Sequence, residues 1–477
     1  RVAAAGQVAG IPGYPCYRTV EETFAAAAAL AAAYPGLATW TDVGDSWEKA
    51  TATDPDLPGY DLWVLRLTNQ SLPGPKPKIL ILASIHAREY APAELATRFA
   101  EHLAAGYGVD ADITWLLDWH EIHLLLQGNP DGRKQAEAGS YWRKNTDRDD
   151  GCDDGTAYPD YQYWGVDLNR NFEFAWGGPG ASTLPCYENY RGPAAASEPE
   201  TVAVQAYLRA QFPDQRLPDL SAAAPADAWG VFLDLHSYGG YVLWPWGFTT
   251  SLPPNSTALQ TLGRKLAYWN GAIPGQASDP DLLYMTSGAT DDFAYGDLGL
   301  AAYTFEIGTA FFQDCTAFQN AILPGNLPAL TYAAKVARAP YQTPAGPDAR
   351  DLSLSPPLVG WGRDVRGEAT LDDTRYSSRN GSEPVQSIAG GELTVDVPPW
   401  AAGATSVALL PLDGAWDAGV EAVAAGLPTA GLAPGRHILY VRGRDAAGNW
   451  GAVSAAFLYV TAHRAYLPTV SRQALAE

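Results

Sequence analysis

Ser84-Ile85-His86-Ala87-Arg88-Glu89 is the stretch on which the reading turns. It follows the apolar run Lys78-Ile79-Leu80-Ile81-Leu82-Ala83 and precedes an alanine-rich segment with Pro92 near its start. A short, continuous apolar run fits a strand buried on both faces, and proline suits the first turn of a helix. The stretch therefore falls at the C-terminal end of a strand, where open α/β sheets build ligand sites. Imidazole and carboxylate are both zinc ligands, and a catalytic zinc takes three protein ligands and a water. His86 and Glu89 are two candidates, but a His-x-x-Glu pair alone does not establish a metal site.

Further strands are expected at residues 61–68, 121–127, 230–235 and 301–305, with helices at 20–33, 92–103 and 327–338. Glu21 and Glu22 suit the first turn of the first helix. The last helix stops before Pro340, because the residue preceding a proline is pushed out of helical geometry. The pattern is α/β. His236 ends its apolar run much as His86 follows its own, and it supplies a third ligand candidate. Glu306 closes the run Tyr303-Thr304-Phe305, and a carboxylate there is costly to bury without a purpose or a partner. A structural ion pair is the competing reading of Glu306. His120 and His123 flank one strand and, three apart, face opposite sides of it. His102 sits on a helix with no ligand partner nearby, so structural roles are expected for all three.

The chain has 477 residues, enough for two domains, and a formal net charge of −22. Such acidity argues against a nucleic-acid partner, which needs a basic footprint. It would attract cationic peptides, or serve solubility alone. No apolar run is long enough to span a membrane. The 4 cysteines suit two disulfides, which cytosolic chains rarely form. Arg1 opens a short Ala/Gly lead without a signal-peptide pattern. From Pro344 onward helical periodicity gives way to short alternating segments, such as 406–410 and 437–442, between Gly/Pro/Asp turns. That texture is expected of a β-sandwich. It resembles the bacterial immunoglobulin-like repeats appended to secreted enzymes. The cysteines and this module lead to the expectation of a secreted, extracellular chain.

Several ordered motifs between residues 14 and 341 carry a more specific resemblance. They are His86-Ala87-Arg88-Glu89, Asn129-Pro130-Asp131-Gly132, Tyr141-Trp142-Arg143-Lys144-Asn145 and Val166-Asp167-Leu168-Asn169-Arg170-Asn171, followed by His236-Ser237-Tyr238, the segment from Tyr284 to Tyr295, and Phe305-Glu306. In order and spacing they resemble the zinc carboxypeptidases, the family of carboxypeptidases A and B. Carboxypeptidase A holds its zinc with two histidines and one glutamate, the same residue types already singled out. The resemblance implies a mixed open sheet flanked by helices over residues 14–341. A lead at 1–13, a linker at 342–350, a small all-β immunoglobulin-like sandwich at 351–462 and a tail at 463–477 complete the expected layout.

The resemblance also implies roles. His86, Glu89 and His236 would hold one zinc ion, and Glu306 would be the general base. Arg143 would polarise the scissile carbonyl. Asn169 and Arg170 would grip the terminal carboxylate, with Tyr284 closing over the substrate. Arg88 would line a further subsite, Tyr238 would contact the substrate, and Asp167 would orient the first zinc histidine. The chemistry is coherent: a planar guanidinium recognises a free carboxylate through two parallel hydrogen bonds, and a carboxylate beside zinc can take a proton from water and pass it to the leaving amine. The implied substrate is a peptide or protein C-terminus, and the chain is expected to act as a monomer.

The segment Ser287-Gly288-Ala289-Thr290-Asp291-Asp292 is similar to that of carboxypeptidase B, and counting back from Glu306 puts Asp291 at the base of the specificity pocket. A basic C-terminal residue is the expected preference, against the alternative that Asp291 caps a turn. Ala289 departs from the glycine usual nearby. Cys152 and Cys186 match a disulfide of the digestive members, while Cys16 and Cys315 are paired by parity. The acidic loop 147–154 is longer than usual and is a candidate for calcium, with a solvated loop as the competing reading. Two other functions stay open: a zinc amidase acting on cell-wall peptides or acylated amino acids, and an inactive binding protein on the same fold.

Overall fold

The computed structural model describes residues 9–52, 54–149, 152 and 164–462. Most of the lead, the tail with His463, and much of the candidate calcium loop lie outside the described residues. The chain forms two compact units. The first takes the described chain up to Val109, with Leu116–Ala345 and Arg375–Pro384; the second takes Asp110–Trp115, Gly346–Thr374 and the chain from Val385 on.

The first unit is built on an eight-stranded sheet. Its strands are β1 (Ala38–Asp45), β2 (Asp61–Leu67), β3 (Lys78–Ala83), β4 (Glu121–Leu125), β5 (Val231–His236), β6 (Tyr241–Trp244), β7 (Ile273–Gln276) and β8 (Ala301–Glu306). The spatial order is β1-β2-β4-β3-β5-β8-β6-β7. The four central strands β4, β3, β5 and β8 run parallel, and antiparallel pairings join β2 to β4 and β6 to β8. The sheet is therefore mixed, with its parallel centre covered on both faces. Ile79, Leu80, Ile81, Leu82 and Ala83 are all at most 1% exposed, which accounts for their unbroken apolar run. Burying each large side chain there stabilises the fold by about 1.5–3 kcal/mol.

Helices Tyr90–Gly106 and Leu323–Val336 pack on each other and on β3, while Thr290–Leu298 packs on β5 and β8. Helix Val20–Ala33 begins with a capping box, Thr19 accepting from the Glu22 backbone and Glu22 reaching back to Thr19. Helix Leu323–Val336 reaches further towards the N-terminus than the expected 327, because it continues without a break from the turns Cys315–Ala317 and Phe318–Ile322, which Asp314 caps by accepting from the Ala317 backbone. Cys16 bonds to Cys315, closing a sequence separation of 299 residues, and Cys152 bonds to Cys186 across 34.

The second unit is a sandwich. One sheet has the order β10 (Leu358–Gly360), β17 (Ser454–Thr461), β16 (Gly435–Asp445), β12 (Ile388–Val395), β13 (Val407–Ala408); the other has β14 (Leu410–Pro411), β15 (Val420–Pro428), β11 (Asp364–Asp372), β9 (Asp348–Ser355). Both sheets feed one core, with Leu371 and Val423 from one meeting Leu393, Leu439, Val441 and Leu458 from the other. The single strand expected over 406–410 is two strands in different sheets. Leu409, only 2% exposed, turns into the core between them as the chain crosses from sheet to sheet.

Candidate active site

The chain leaves β3 for β4 on one side and later returns to β5 and β8 on the other, so strand order reverses between β3 and β5. Open α/β sheets bind ligands beyond the strand ends at such a point. His86 and Glu89 follow β3, His236 ends β5, and Glu306 ends β8 in direct register with His236.

The loop after β3 is held from several directions. Ser84 has a φ of 60°, a left-handed turn that swings the chain off the sheet. Asn129 caps helix Pro130–Glu137 by accepting from the Gly132 backbone, and its amide donates to Ile85 O at 3.1 Å and Lys144 O at 2.9 Å. One side chain thus ties the His86 loop to the Arg143-Lys144 segment. A Cβ at Gly132 would sit 2.4 Å from Lys144 O, which is why this motif ends in glycine. Arg133 is fully buried and donates to Glu89 O at 2.9 Å.

Three ligand atoms converge. His86 Nδ1 lies 3.1 Å from His236 Nδ1 and 2.9 Å from a Glu89 carboxylate oxygen, and the other Glu89 oxygen lies 3.2 Å from His236 Nδ1. Among the described residues, these three side chains are the one histidine–carboxylate group whose ligand atoms all lie within 4.8 Å of one another. Zinc bonds of about 2.0–2.1 Å at tetrahedral angles separate ligand atoms by about 3.3 Å, so the spacing fits the ion. Two imidazole nitrogens this close, beside a carboxylate, can share a proton or a metal ion. The outer nitrogens agree: His86 Nε2 lies 3.1 Å from Asp167 Oδ1 and His236 Nε2 lies 2.9 Å from Asp234 Oδ2. Each Nε2 then carries the hydrogen, which leaves each Nδ1 lone pair for a metal.

The electrostatics favour positive charge at this point. Burial opposes ionisation of Glu89, yet the His86 and His236 charges hold its carboxyl below the usual range. Burial likewise opposes a charged His236, but Asp234 and Glu89 raise it well above an ordinary histidine. Burial also opposes a charge on Asp167, but Arg143 first and Arg170 next hold it low. Glu306 is pushed up to about 8 by burial, with His236 pulling the other way.

A cavity of about 340 Å³ opens over the three ligands and is also lined by Arg88, Arg143, Asn169, Arg170, Tyr238, Tyr284, Asp291 and Glu306. Every expected catalytic, binding and metal residue therefore faces one space, and Asp167 stands behind His86. Asp167 Oδ2 accepts from Arg143 Nε at 3.0 Å and Nη2 at 2.9 Å. Asn169 Oδ1 accepts from the Thr290 backbone at 2.9 Å, which fixes the orientation of its amide. Arg170 Nη2 reaches the Tyr284 hydroxyl at 3.4 Å, and Tyr284 is 57% exposed. Arg88 stacks 4.0 Å over the Phe311 ring and pairs with Glu188 at 3.0 Å, while Tyr238 meets Phe311 edge-on. Asp291 lies in the first turn of Thr290–Leu298, whose N-cap is Ala289, so it is not itself the cap. Burial raises its carboxyl. Ala289 needs no glycine at a φ of −93°, whereas Gly288, at +65°, would bring a Cβ within 2.4 Å of Arg170 O.

Asp234, Glu188, Phe311, Asn129 and Arg133 are not singled out by the sequence as site residues. Asp234 has a readable signal: two residues before His236 on a strand, it shares the histidine's face. Glu188 and Phe311 lie on loops whose approach to Arg88 depends on tertiary folding.

The comparisons with known proteins specify the family. The profile of the family described as zinc carboxypeptidase matches residues 24–323, and the chain belongs to that family. It is 32% identical to carboxypeptidase A2 of Rattus norvegicus over 256 residues, 53% of this chain and 54% of that protein. To carboxypeptidase B of Bos taurus it is 31% identical over 238 residues, 49% of this chain and 51% of that protein. The chain thus spans about half the length of these curated relatives. In fold it is similar to the crystal structure of thrombin activatable fibrinolysis inhibitor, with a TM-score of 0.56 and 24% identity over 67% of this chain and 74% of that one.

Proposed function

We propose that the chain is a secreted, zinc-dependent exopeptidase that removes the C-terminal residue of peptides and prefers lysine or arginine there. One observation carries this reading: the His86–Glu89–His236 convergence opens onto a single cavity that also holds Glu306, three arginines and the buried Asp291.

Zinc held by His86, Glu89 and His236 would supply a Lewis acid and a water acidified towards neutral pH. Glu306 takes a proton and hands it to the leaving amine; a carboxyl poised near neutrality suits both halves of that transfer. Arg143, kept charged and oriented by Asp167, stabilises the developing oxyanion, a contribution typically worth about 3 kcal/mol per donor. Arg170 and Asn169 grip the terminal carboxylate, and Tyr284 closes over it. Asp291 receives the basic side chain, whose charge offsets the cost of a buried carboxylate. Arg88 and Tyr238 contact residues further from the C-terminus. The two disulfides support export, and among the described residues no helix is long and apolar enough to cross a membrane.

The test is a peptide panel ending in Arg, Lys or Phe, with C-terminally amidated controls and cell-wall fragments, read by mass spectrometry with and without a chelator. Loss of one C-terminal residue from free-acid peptides, abolished by chelation, is expected. Equal cleavage of amidated peptides, or cleavage of the cell-wall fragments alone, would overturn the exopeptidase reading.

A further inference from the structure

We infer that Asp234 is a positioning residue that couples the zinc ligand His236 to the substrate pocket. The inference rests on the reading that His236 binds zinc, and it adds to the Asp234–His236 contact a connection to the pocket.

Asp234 is fully buried on β5. Its Oδ2 lies 2.9 Å from His236 Nε2 and accepts the Thr290 hydroxyl at 2.6 Å. Asn169 Nδ2 also approaches His236 Nε2, at 3.3 Å. That amide cannot be the partner that fixes the ring. Its Oδ1 is committed to the Thr290 backbone, so it turns a donor towards Nε2. A histidine that gives its Nδ1 lone pair to a metal carries its hydrogen on Nε2 and needs an acceptor there. Asp234 Oδ2 is the acceptor in reach. A carboxylate so placed fixes the tautomer, orients the ring and raises its basicity, and removing such a partner typically costs about 10–100-fold in metal affinity.

Thr290 extends the connection. Its hydroxyl anchors on Asp234, its backbone N–H orients Asn169, and the next residue is Asp291. The metal ligand and the proposed carboxylate grip therefore share one buried hydrogen-bonded joint, and the pocket floor follows it by one peptide bond. Any displacement of Asp234 moves all three, and because coupling in binding is reciprocal, a peptide held in the pocket tightens the metal.

The experiment compares Asp234→Asn, which keeps the shape and removes the charge, with Thr290→Val, which keeps the His236 contact and breaks the joint to the pocket. Zinc dissociation constants are measured by competition with a chromophoric chelator, and the visible spectrum of the cobalt-substituted protein reports ligand geometry. Asp234→Asn is expected to weaken zinc about 10–100-fold and to shift the cobalt bands. Thr290→Val is expected to leave zinc affinity within about threefold while raising KM more than it lowers kcat. Zinc affinity within about twofold of the parent and an unchanged cobalt spectrum in Asp234→Asn would overturn the inference. If that variant fails to fold, an unchanged KM in Thr290→Val overturns it instead. His236→Ala separates the two readings: retained zinc there would refute the metal site itself, not the role of Asp234.

Discussion

Replacing Asp291 with asparagine should change which C-terminal residue is removed. Asp291 is 3% exposed, and burial raises its carboxyl above the ordinary aspartate range, because the group lacks the hydration it would have in water. A bound arginine or lysine supplies the missing counter-charge. Removing one partner of a buried ion pair typically costs about 3–5 kcal/mol, and each 1.36 kcal/mol is tenfold in rate. Asp291→Asn should therefore lower kcat/KM for peptides ending in arginine by about 100- to 5,000-fold. Peptides ending in phenylalanine should be unaffected or improved, since the cost of placing an apolar group against a charge is gone. Matched peptides differing only at the last residue, assayed at saturating zinc, give the ratio directly. An arginine-to-phenylalanine preference that survives the substitution within about threefold would show that the pocket floor lies elsewhere.

Other outcomes follow from the same geometry. Glu306→Gln should keep its zinc, measured by atomic absorption, yet lose about 100- to 10,000-fold in kcat, the range spanned by general acid–base groups. The acidic limb of the kcat/KM profile should track Glu306 and fall below the metal-free value of about 8, because the ion's double charge favours the ionised carboxylate. Chelation should destabilise the fold, by about 2.7 kcal/mol relative to a protein held at 100 times its zinc dissociation constant, read as a lower melting temperature. Asp131 is pushed up to about 7 by burial, against the Glu48 backbone N–H that it accepts. Between about pH 4 and 7 the folded chain therefore keeps a proton that the unfolded chain has lost, and stability falls as pH rises through that window. Urea melts of Asp131→Asn should show a flatter slope over that window.

The parts of the fold written in short-range patterns were legible from sequence. The buried run 78–83 follows from its unbroken apolar character, and the helix Val20–Ala33 from Glu21 and Glu22 in its first turn. The convergence of His86, Glu89 and His236 was legible because they lie at or just beyond strand ends, where side chains of neighbouring strands meet. Sheet order was not legible, since β3 pairs with β4 and β5 across long insertions. The crossing of Leu409 between sheets was missed because an alternating run does not record which sheet it joins. The place of Asp234 beside His236 was readable from their spacing on one strand, but its bond to Thr290, 56 residues away, was not, because that contact exists only in the folded chain.

An anomalous difference map at the zinc edge, from crystals grown with one equivalent of zinc, tests the metal site most directly. A single peak is expected about 2.0–2.2 Å from Nδ1 of His86, Nδ1 of His236 and the Glu89 carboxylate. A peak elsewhere, or ordered imidazoles with no peak between them in zinc-saturated crystals, would contradict it.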